Sequence, residues 1–182
     1  MTRSGLLILI LLAIIVGVVW KMARRWRARA GERNWLPEEL QHADLAFAEK
    51  TFRTWRPIRL VVRADRGYRS RGELHLAEFK TRARAAAYPS DVIELSAQRL
   101  AIEASTGERV SEIGYVLAET PSGKRRSVHP VRLFSRAVVV AVARRREAIL
   151  KGSVAPRYAA SPGLCRHCAY RAECNPNVHS QS

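Results

Sequence analysis

Cysteine is scarce in this chain: 182 residues include three cysteines, and all of them lie at or beyond position 165. An odd number of cysteines in a chain of this size does not fit the disulfide framework of a small secreted domain. Acidic residues are also few, with 16 Asp and Glu against 32 Lys and Arg, which gives a net charge of +16. This excess suits a partner that carries phosphates, although anionic lipid would attract it too. Aromatic residues make up 7%, and the sequence has no aromatic-interleaved basic pattern that would identify a single-strand binder outright.

Charge is absent from residues 5–20, a run of sixteen residues that is apolar throughout. As a helix it spans about 24 Å, so the flanking Lys21 and Met22 must help it to cross a hydrocarbon layer of about 30 Å. A cleaved signal peptide would carry its basic residues before the apolar run. Here one basic residue precedes the run, and several follow it: Lys21, Arg24, Arg25, Arg27 and Arg29. We therefore expect residues 1–22 to be a transmembrane anchor in the inner membrane, with the following domain in the cytoplasm; a helix buried in the core is the alternative.

The rest of the chain is long enough for one compact domain. We expect a basic juxtamembrane linker at 23–36, an α/β domain at 37–160 and a cysteine-containing tail at 161–182. Hydrophobic periodicity predicts a helix near 37–52, strands at 58–64 and 73–81, a helix at 91–105, strands at 112–118 and 127–133, and a last helix from Ser135. The glycine-containing segment Gly67–Gly72 predicts a hairpin connection between the first two strands.

An acid-x-Lys pair, Glu78 and Lys80, lies in the predicted strand 73–81. Side chains two residues apart on a strand project from the same face, about 7 Å apart. The predicted hairpin would bring a second acid, Asp65, next to Glu78. Two adjacent carboxylates repel unless a cation compensates them, which makes the pair a natural seat for Mg²⁺ or Mn²⁺. Such a triplet also occurs by chance on exposed strands, but here the same face is otherwise apolar, with Leu74 and Leu76.

With these residues the chain resembles the PD-(D/E)XK nucleases, and within them the RecB-like branch that includes CRISPR-associated exonucleases with a C-terminal iron–sulfur cluster. The resemblance extends from Pro37 to Cys174. It implies a restriction-endonuclease-like α/β core, in which helices flank a mixed central sheet. It also implies that Asp65, Glu78 and the carbonyl of Phe79 bind the metal, and that Lys80 is catalytic.

The activity implied is that of a membrane-anchored, metal-dependent DNase, more specifically an exonuclease, whose partner is DNA. The alternative is a membrane-tethered nucleic-acid-binding protein that keeps the fold without turnover. Several arginines bracket the motif strand and could contact the DNA backbone: Arg66, Arg69, Arg71, Arg82 and Arg84.

The helix after the motif departs from the resemblance, because relatives usually show Gln-x-x-x-Tyr there. This chain has Glu94-Leu-Ser-Ala-Gln98. Gln98 is the first candidate for the family glutamine and Glu94 the second, since residues four apart share a helical face; both could also be ordinary solvated residues. The family tends to carry an accessory metal ligand upstream, and His42 and Glu49, seven apart on the predicted helix 37–52, are candidates.

The cysteines form a Cys165-x2-Cys168-x5-Cys174 pattern. Thiolates at this spacing suit an iron–sulfur cluster or zinc, and the resemblance favours [4Fe–4S] because relatives carry this triplet. Relatives complete the cluster with an upstream cysteine, which this chain lacks. His167, His179, a small molecule or a second chain could supply the fourth ligand, and three reduced thiols without metal are the other alternative.

Overall fold

The computed structural model describes residues 16–17, 34–157, 163–164 and 168. The chain divides into two compact units, Met1–Val140 and Ala141–Ser182. The first unit contains all five strands, and the second begins within the last helix.

The elements follow in the order α1 (Glu38–Gln41), β1 (Asp44–Thr54), β2 (Leu60–Ser70), β3 (Glu73–Thr81), α2 (Pro89–Thr106), β4 (Ile113–Glu119), β5 (Arg126–Arg132) and α3 (Arg136–Leu150). The strands form one sheet in the order β1-β2-β3-β4-β5. Only β3 and β4 are parallel, and α2 provides the crossover that a parallel pair requires. The predicted α/β core with a mixed sheet and flanking helices is confirmed.

Helix α2 covers one face of the sheet. It begins at Pro89, where a proline lacks an amide hydrogen that the first helical turn would leave unpaired, and it ends at Thr106, followed by Gly107 in the left-handed conformation at φ 72°. Alternating leucines of β3, Leu74 and Leu76, are fully buried in the cluster that contains Leu95 of α2. This packing holds α2 against the strand that carries the acid-x-Lys pair.

The segment before β1 contributes to a second buried cluster, which also contains residues of β2, β3 and β4. Leu36 and Leu40 are buried in it together with Tyr68, and the rings of Trp35 and Phe79 meet edge to face at 5.5 Å. Position 79 of the motif strand is therefore a packing position for its side chain.

The predicted helix 37–52 is wrong beyond Gln41, because residues 44–54 form β1. Alanine, leucine and glutamate favour a helix locally, but pairing along the whole of β2 satisfies the main chain of this segment instead. His42 and Glu49 therefore do not share a helical face. The motif strand was predicted at its observed bounds, and the remaining elements lie within a few residues of their predicted ends, except that β2 runs on to Ser70.

That extension of β2 also corrects the predicted hairpin connection. Ser70 pairs with Glu73, so the turn consists of Arg71 and Gly72, both with positive φ. Such two-residue turns match the twist of the strands that they join. Gly67 instead lies inside β2, under the ring of Phe47, where a Cβ would come within 2.4 Å of the ring carbons.

Among the described residues, no helix has both the length and the apolar character needed to cross a membrane. Of the predicted anchor, only Val16 and Gly17 are described, and both are helical. The rest of the anchor, and the linker up to residue 33, lie outside the described part of the chain.

Candidate active site

The site lies where β2 and β3 separate. Their antiparallel pairing runs from Ser70–Glu73 to Arg66–Ala77 and stops there. Beyond this point β2 continues alongside β1, and β3 continues alongside β4. Asp65 and Glu78 are the first residues past the last pair, one on each strand, so the opening of the sheet places two acids side by side.

At this opening the side chain of Asp65 takes the place of a main-chain acceptor for the amide of Phe79. Its Oδ2 accepts a hydrogen bond of 3.0 Å from the amide nitrogen of Phe79, an amide that lies just beyond the last β2–β3 pair. The bond joins the end of the β2–β3 pairing to the motif strand. It also fixes the Asp65 carboxylate next to the main chain between Glu78 and Phe79.

Glu78 is an acid in a buried position, with 5% of its side chain exposed. Its Oε1 accepts a hydrogen bond of 2.7 Å from Nζ of Lys80, and its Oε2 accepts one of 2.9 Å from Nε2 of Gln98. Burial raises the pKa of Glu78 to about 7, although both hydrogen bonds oppose the shift; the negative charge of Asp65 adds to it. The carboxyl is therefore poised to titrate near neutral pH.

Lys80 lies between two acids. Its Nζ donates to Glu78 and also to Oε2 of Glu94, at 2.9 Å. Burial disfavours the charged ammonium, but the hydrogen bonds and negative charges of Glu78 and Glu94 outweigh it and raise the pKa of Lys80. Lys80 is therefore an ammonium ion at neutral pH, suited to stabilising negative charge rather than to accepting a proton.

Both helix candidates reach this network. Gln98 is buried on α2, and its Nε2 also donates to the carbonyl of Arg63 at 3.3 Å, so one amide joins α2 to β2 and β3. Glu94 lies one turn earlier and binds Lys80 while remaining 45% exposed. The alternative that both are ordinary solvated residues is wrong for Gln98, which is buried and contacts the acid of the motif; Glu94 is exposed and contacts the lysine of the motif.

The start of α2 is held by an ion pair that the sequence analysis missed. Arg82 donates from both terminal nitrogens to Asp91, each at 3.0 Å, and its guanidinium lies 4.9 Å from the centre of the Tyr88 ring. Asp91 also accepts a bond of 2.8 Å from the amide of Tyr88. Burial opposes the charge of Asp91, but these bonds lower its pKa overall. An acid at the third position of a helix is the sequence feature that indicates the bond to the Tyr88 amide, but it does not indicate the pair with Arg82.

The donor set fits a hard divalent cation. The carboxylates of Asp65 and Glu78 and the carbonyl of Phe79 are all oxygen ligands, of the kind that Mg²⁺ and Mn²⁺ prefer. Residues 34–157 contain no cluster of three or more His, Cys, Asp or Glu side chains able to hold a metal. Mg²⁺ is often bound through one or two carboxylates, with water and substrate phosphates completing its shell. Two acids in mutual repulsion, one of them buried, therefore suit such an ion.

The two accessory candidates lie in different places: the pairs Ala48–Arg66 and Lys50–Ala64 put Glu49 across from Asp65 in the β1–β2 register, whereas His42 precedes β1. Glu49 forms ion pairs with Arg63 at 2.8 Å and with Arg66 at 3.4 Å, and His42 lines a pocket of about 400 Å³ beside the β2–β3 turn. In the described part of the chain no hydrogen bond joins either residue to Asp65 or Glu78. The remaining lining residues of that pocket are Glu38, Glu39, Ser70 and Arg71.

The predicted cysteine cluster falls mostly outside the described residues. Cys168 is described, and it is exposed with a free thiol. Cys165 and Cys174, as well as His167 and His179, are not described. The cluster and its fourth ligand therefore stay predictions.

The matches among solved structures include two crystal structures. The crystal structure of SSO0001 matches with a TM-score of 0.51 and 16% identity, over 91% of this chain and 71% of that one. A candidate exonuclease from Eubacterium rectale matches with a TM-score of 0.46 and 11% identity, over 85% of this chain and 60% of that one. Comparison with curated proteins finds no match.

A family model decides the membership. The model described as the PD-(D/E)XK nuclease superfamily matches residues 8–175, which is most of the chain and includes the opening of the sheet with Asp65, Glu78 and Lys80. The chain therefore belongs to the PD-(D/E)XK nuclease superfamily.

Proposed function

We propose that this protein is a metal-dependent DNase that hydrolyses phosphodiester bonds, and more specifically an exonuclease. Membership of a nuclease superfamily supports a nucleic-acid substrate. The observation that carries the proposal is the meeting of Asp65, Glu78 and Lys80 where β2 and β3 separate.

Each side chain of the site has a distinct role in this proposal. Asp65, Glu78 and the Phe79 carbonyl would hold Mg²⁺ or Mn²⁺. The bound metal would polarise the scissile phosphate and lower the pKa of a water molecule. Lys80, as an ammonium ion, would stabilise the negative charge that develops on the phosphate oxygens. Gln98 would act as a positioning residue, because its hydrogen bond fixes Oε2 of the Glu78 carboxylate.

The test is a digestion assay with the full-length protein in detergent. Wild type should degrade linear DNA with Mg²⁺ or Mn²⁺ and stop when the metal is chelated. Lys80→Ala and Glu78→Ala should each lower the rate at least about 100-fold while DNA binding persists, because a lost charge-stabilising group costs that order. Arg132→Ala, at an exposed position on the outer strand β5, is the matched control and should keep the wild-type rate.

Two outcomes would separate the alternatives. Unchanged activity in both variants would remove the site assignment. DNA binding without any turnover would favour the non-catalytic alternative. Covalently closed circular DNA resists an exonuclease but not an endonuclease, so a parallel digestion of circular substrate tests the finer part of the proposal.

Membrane anchoring by residues 5–20, with the domain facing the cytoplasm, is a second part of the proposal. Its support is the uncharged run and the basic residues that follow it. The protein should stay in the membrane fraction after alkaline extraction, and protease added to spheroplasts from outside should leave the domain intact. A protein released by alkaline extraction would contradict the anchor.

Metal binding by Cys165, Cys168 and Cys174 is the third part, and it rests on their spacing and on the resemblance. Protein purified without oxygen should be brown if the cluster is [4Fe–4S]. Colourless protein with one equivalent of zinc would favour zinc, and protein without either metal would contradict the assignment.

A further inference from the structure

Beyond the opening of the sheet, β1 and β2 continue as a two-stranded arm that pairs Lys50–Thr54 with Leu60–Ala64. One face of the arm packs into the cluster of α2 through Phe52, Leu60 and Val62. The Gln98 bond to the Arg63 carbonyl joins the arm directly to the candidate site. At about 3.3 Å per residue, Leu60 lies roughly 16 Å along the strand from Asp65. The end of the arm, residues 53–59, is called the hairpin tip below.

The arm is uniformly basic. Residues 50–64 include five basic side chains and no acid: Lys50, Arg53, Arg56, Arg59 and Arg63. Arg63 pairs with Glu49, but within residues 34–157 no ion pair involves the three arginines of the hairpin tip. The tip therefore offers several guanidinium groups whose charge no neighbouring acid compensates.

An exposed indole accompanies these arginines. Trp55 is 64% exposed, an unusual degree for the largest apolar side chain. The guanidinium of Arg59 lies 4.8 Å from the centre of its ring. Thr54 Oγ1 donates to the carbonyl of Arg56 at 2.8 Å and so steadies the main chain of the tip without using the Arg56 side chain.

An exposed indole flanked by unpaired arginines matches the chemistry of single-stranded DNA. Unpaired bases stack on aromatic rings, and the phosphates between them attract guanidinium groups. A duplex hides the faces of its bases, so only its phosphates could use this surface. An anionic membrane could attract the same groups, but the direct connection of the arm to the candidate site favours the nucleic acid.

We propose that the hairpin tip binds a single-stranded segment of the DNA substrate, with a base stacked on Trp55 and phosphates held by Arg53, Arg56 and Arg59. The identity of this segment as substrate rests on the proposed nuclease function, whereas its binding does not. The tip would thereby hold the strand at a fixed distance from the candidate site.

The test measures binding of a fluorescent single-stranded oligonucleotide to the full-length protein in detergent, with a chelator present so that no cleavage occurs. Trp55→Ala should weaken binding about tenfold without changing its salt dependence, because stacking is uncharged. Trp55→Phe should keep most of the affinity, and blunt duplex should be nearly insensitive to both changes. Arg59→Glu should weaken binding and lower the slope of log Kd against log salt by at least about 0.7, the contribution of one phosphate contact on a single strand.

The matched control is Arg132→Glu, the same charge reversal on β5 at the other edge of the sheet; it should leave affinity and slope near those of wild type. Wild-type affinity in Trp55→Ala, or equal losses on single strand and duplex, would overturn the proposal. A membrane role would overturn it too: brominated lipid in nanodiscs would then quench the tryptophan fluorescence of wild type more than that of Trp55→Phe, in which the tryptophans of the predicted anchor region remain, and oligonucleotide affinity would be the same in both proteins.

The two proposals fail separately. A protein that never cleaves DNA but loses single-strand affinity in Trp55→Ala would contradict the nuclease function and support the role of the tip. If cleavage depends on Asp65, Glu78 and Lys80 but Trp55→Ala binds oligonucleotides as tightly as wild type, the nuclease function is supported and the role of the hairpin tip is contradicted.

Discussion

Glu78 is where packing and chemistry conflict. It follows Leu74 and Leu76 on the buried face of β3, so a purely structural strand would have an apolar residue here. Burial makes its negative charge costly, and the charges of Asp65 and Glu94 increase that cost. Only Lys80 and Gln98 offset it in the described residues. A divalent cation between Asp65 and Glu78 would relieve the same repulsion.

This conflict predicts how stability depends on pH. The folded-state pKa of Glu78, about 7, lies above the ordinary value of 4.5 for a glutamate side chain. Its contribution to stability is therefore fully present below about pH 4.5 and is lost as pH rises through about 7. In chelator, the wild-type free energy of unfolding should fall between about pH 5 and pH 8 more than that of Glu78→Gln, which cannot titrate there.

Unfolding by urea also tests whether Asp65 and Glu78 bind a metal ion. Mg²⁺ at about pH 8 should stabilise wild type, because a ligand that binds only the folded state raises its stability. Glu78→Gln and Asp65→Asn should respond less, since each removes one carboxylate of the pair. An equal Mg²⁺ response in all three proteins would place the metal elsewhere.

Gln98 and Glu94 should differ in what their removal does to folding. Gln98→Ala leaves Oε2 of Glu78 and the carbonyl of Arg63 without a donor in a buried place, which costs about 1–3 kcal/mol. Glu94→Ala removes an acid that is half exposed and should cost less than about 1 kcal/mol. Urea midpoints of the two variants compare them directly, and a larger loss in Glu94→Ala would contradict the buried role of Gln98.

At the scale of elements, the sequence predicts correctly those helices and strands whose structure is determined by residues within the segment itself. The motif strand alternates buried and less buried residues, and α2 has a proline at its start and a glycine after its end, so both are visible in the sequence. β1 was mistaken for a helix because its residues favour a helix and only pairing with β2 makes it a strand.

The residues of the candidate site also differ in whether the sequence alone could identify them. Asp65, Glu78 and Lys80 were identifiable as residue types at a suitable spacing. The contacts of Glu94 and Arg82 depend instead on where α2 packs, and no short-range pattern contains that information. The exposure of Trp55 depends likewise on how β1 and β2 pair.

The Arg82–Asp91 ion pair should fix the position of α2 relative to β3. Asp91→Asn leaves the guanidinium of Arg82 without its charged partner in a largely buried place, which should cost about 2–4 kcal/mol at neutral pH. Because the pKa of Asp91 is lowered, its contribution is present above about 3.8 and is lost as pH falls, so the two proteins should converge in acid.

Arg99→Gln is the matched control on the same helix, since Arg99 pairs with Glu103 one turn away and such pairs contribute about 0.3–0.5 kcal/mol. Unfolding by urea compares the three proteins. Equal stability of Asp91→Asn and Arg99→Gln would show that the Arg82–Asp91 bonds do not hold the start of α2.

For the whole molecule, the position of the excess charge matters more than its total. In residues 34–157 at least nine acids lie within ion-pair distance of a basic side chain: Glu49, Glu73, Glu78, Asp91, Glu94, Glu103, Glu108, Glu112 and Glu119. Other basic side chains in this part of the chain form no ion pair, so no acid compensates their charge locally. The hairpin tip carries three of them.

Two double variants separate position from total charge, because each removes two positive charges. The first, Arg56→Gln with Arg59→Gln, removes two of the three positive charges of the hairpin tip. The second, Arg109→Gln with Arg132→Gln, changes exposed arginines that pair with Glu73 and Glu112. The first should lower the slope of log Kd against log salt for a single-stranded oligonucleotide by about 1.4, since each phosphate contact contributes about 0.7. The second should change it little, because an arginine already paired with an acid contributes less to phosphate binding. If both variants lose the same slope, binding follows net charge alone, and the basic arm has no special part in it.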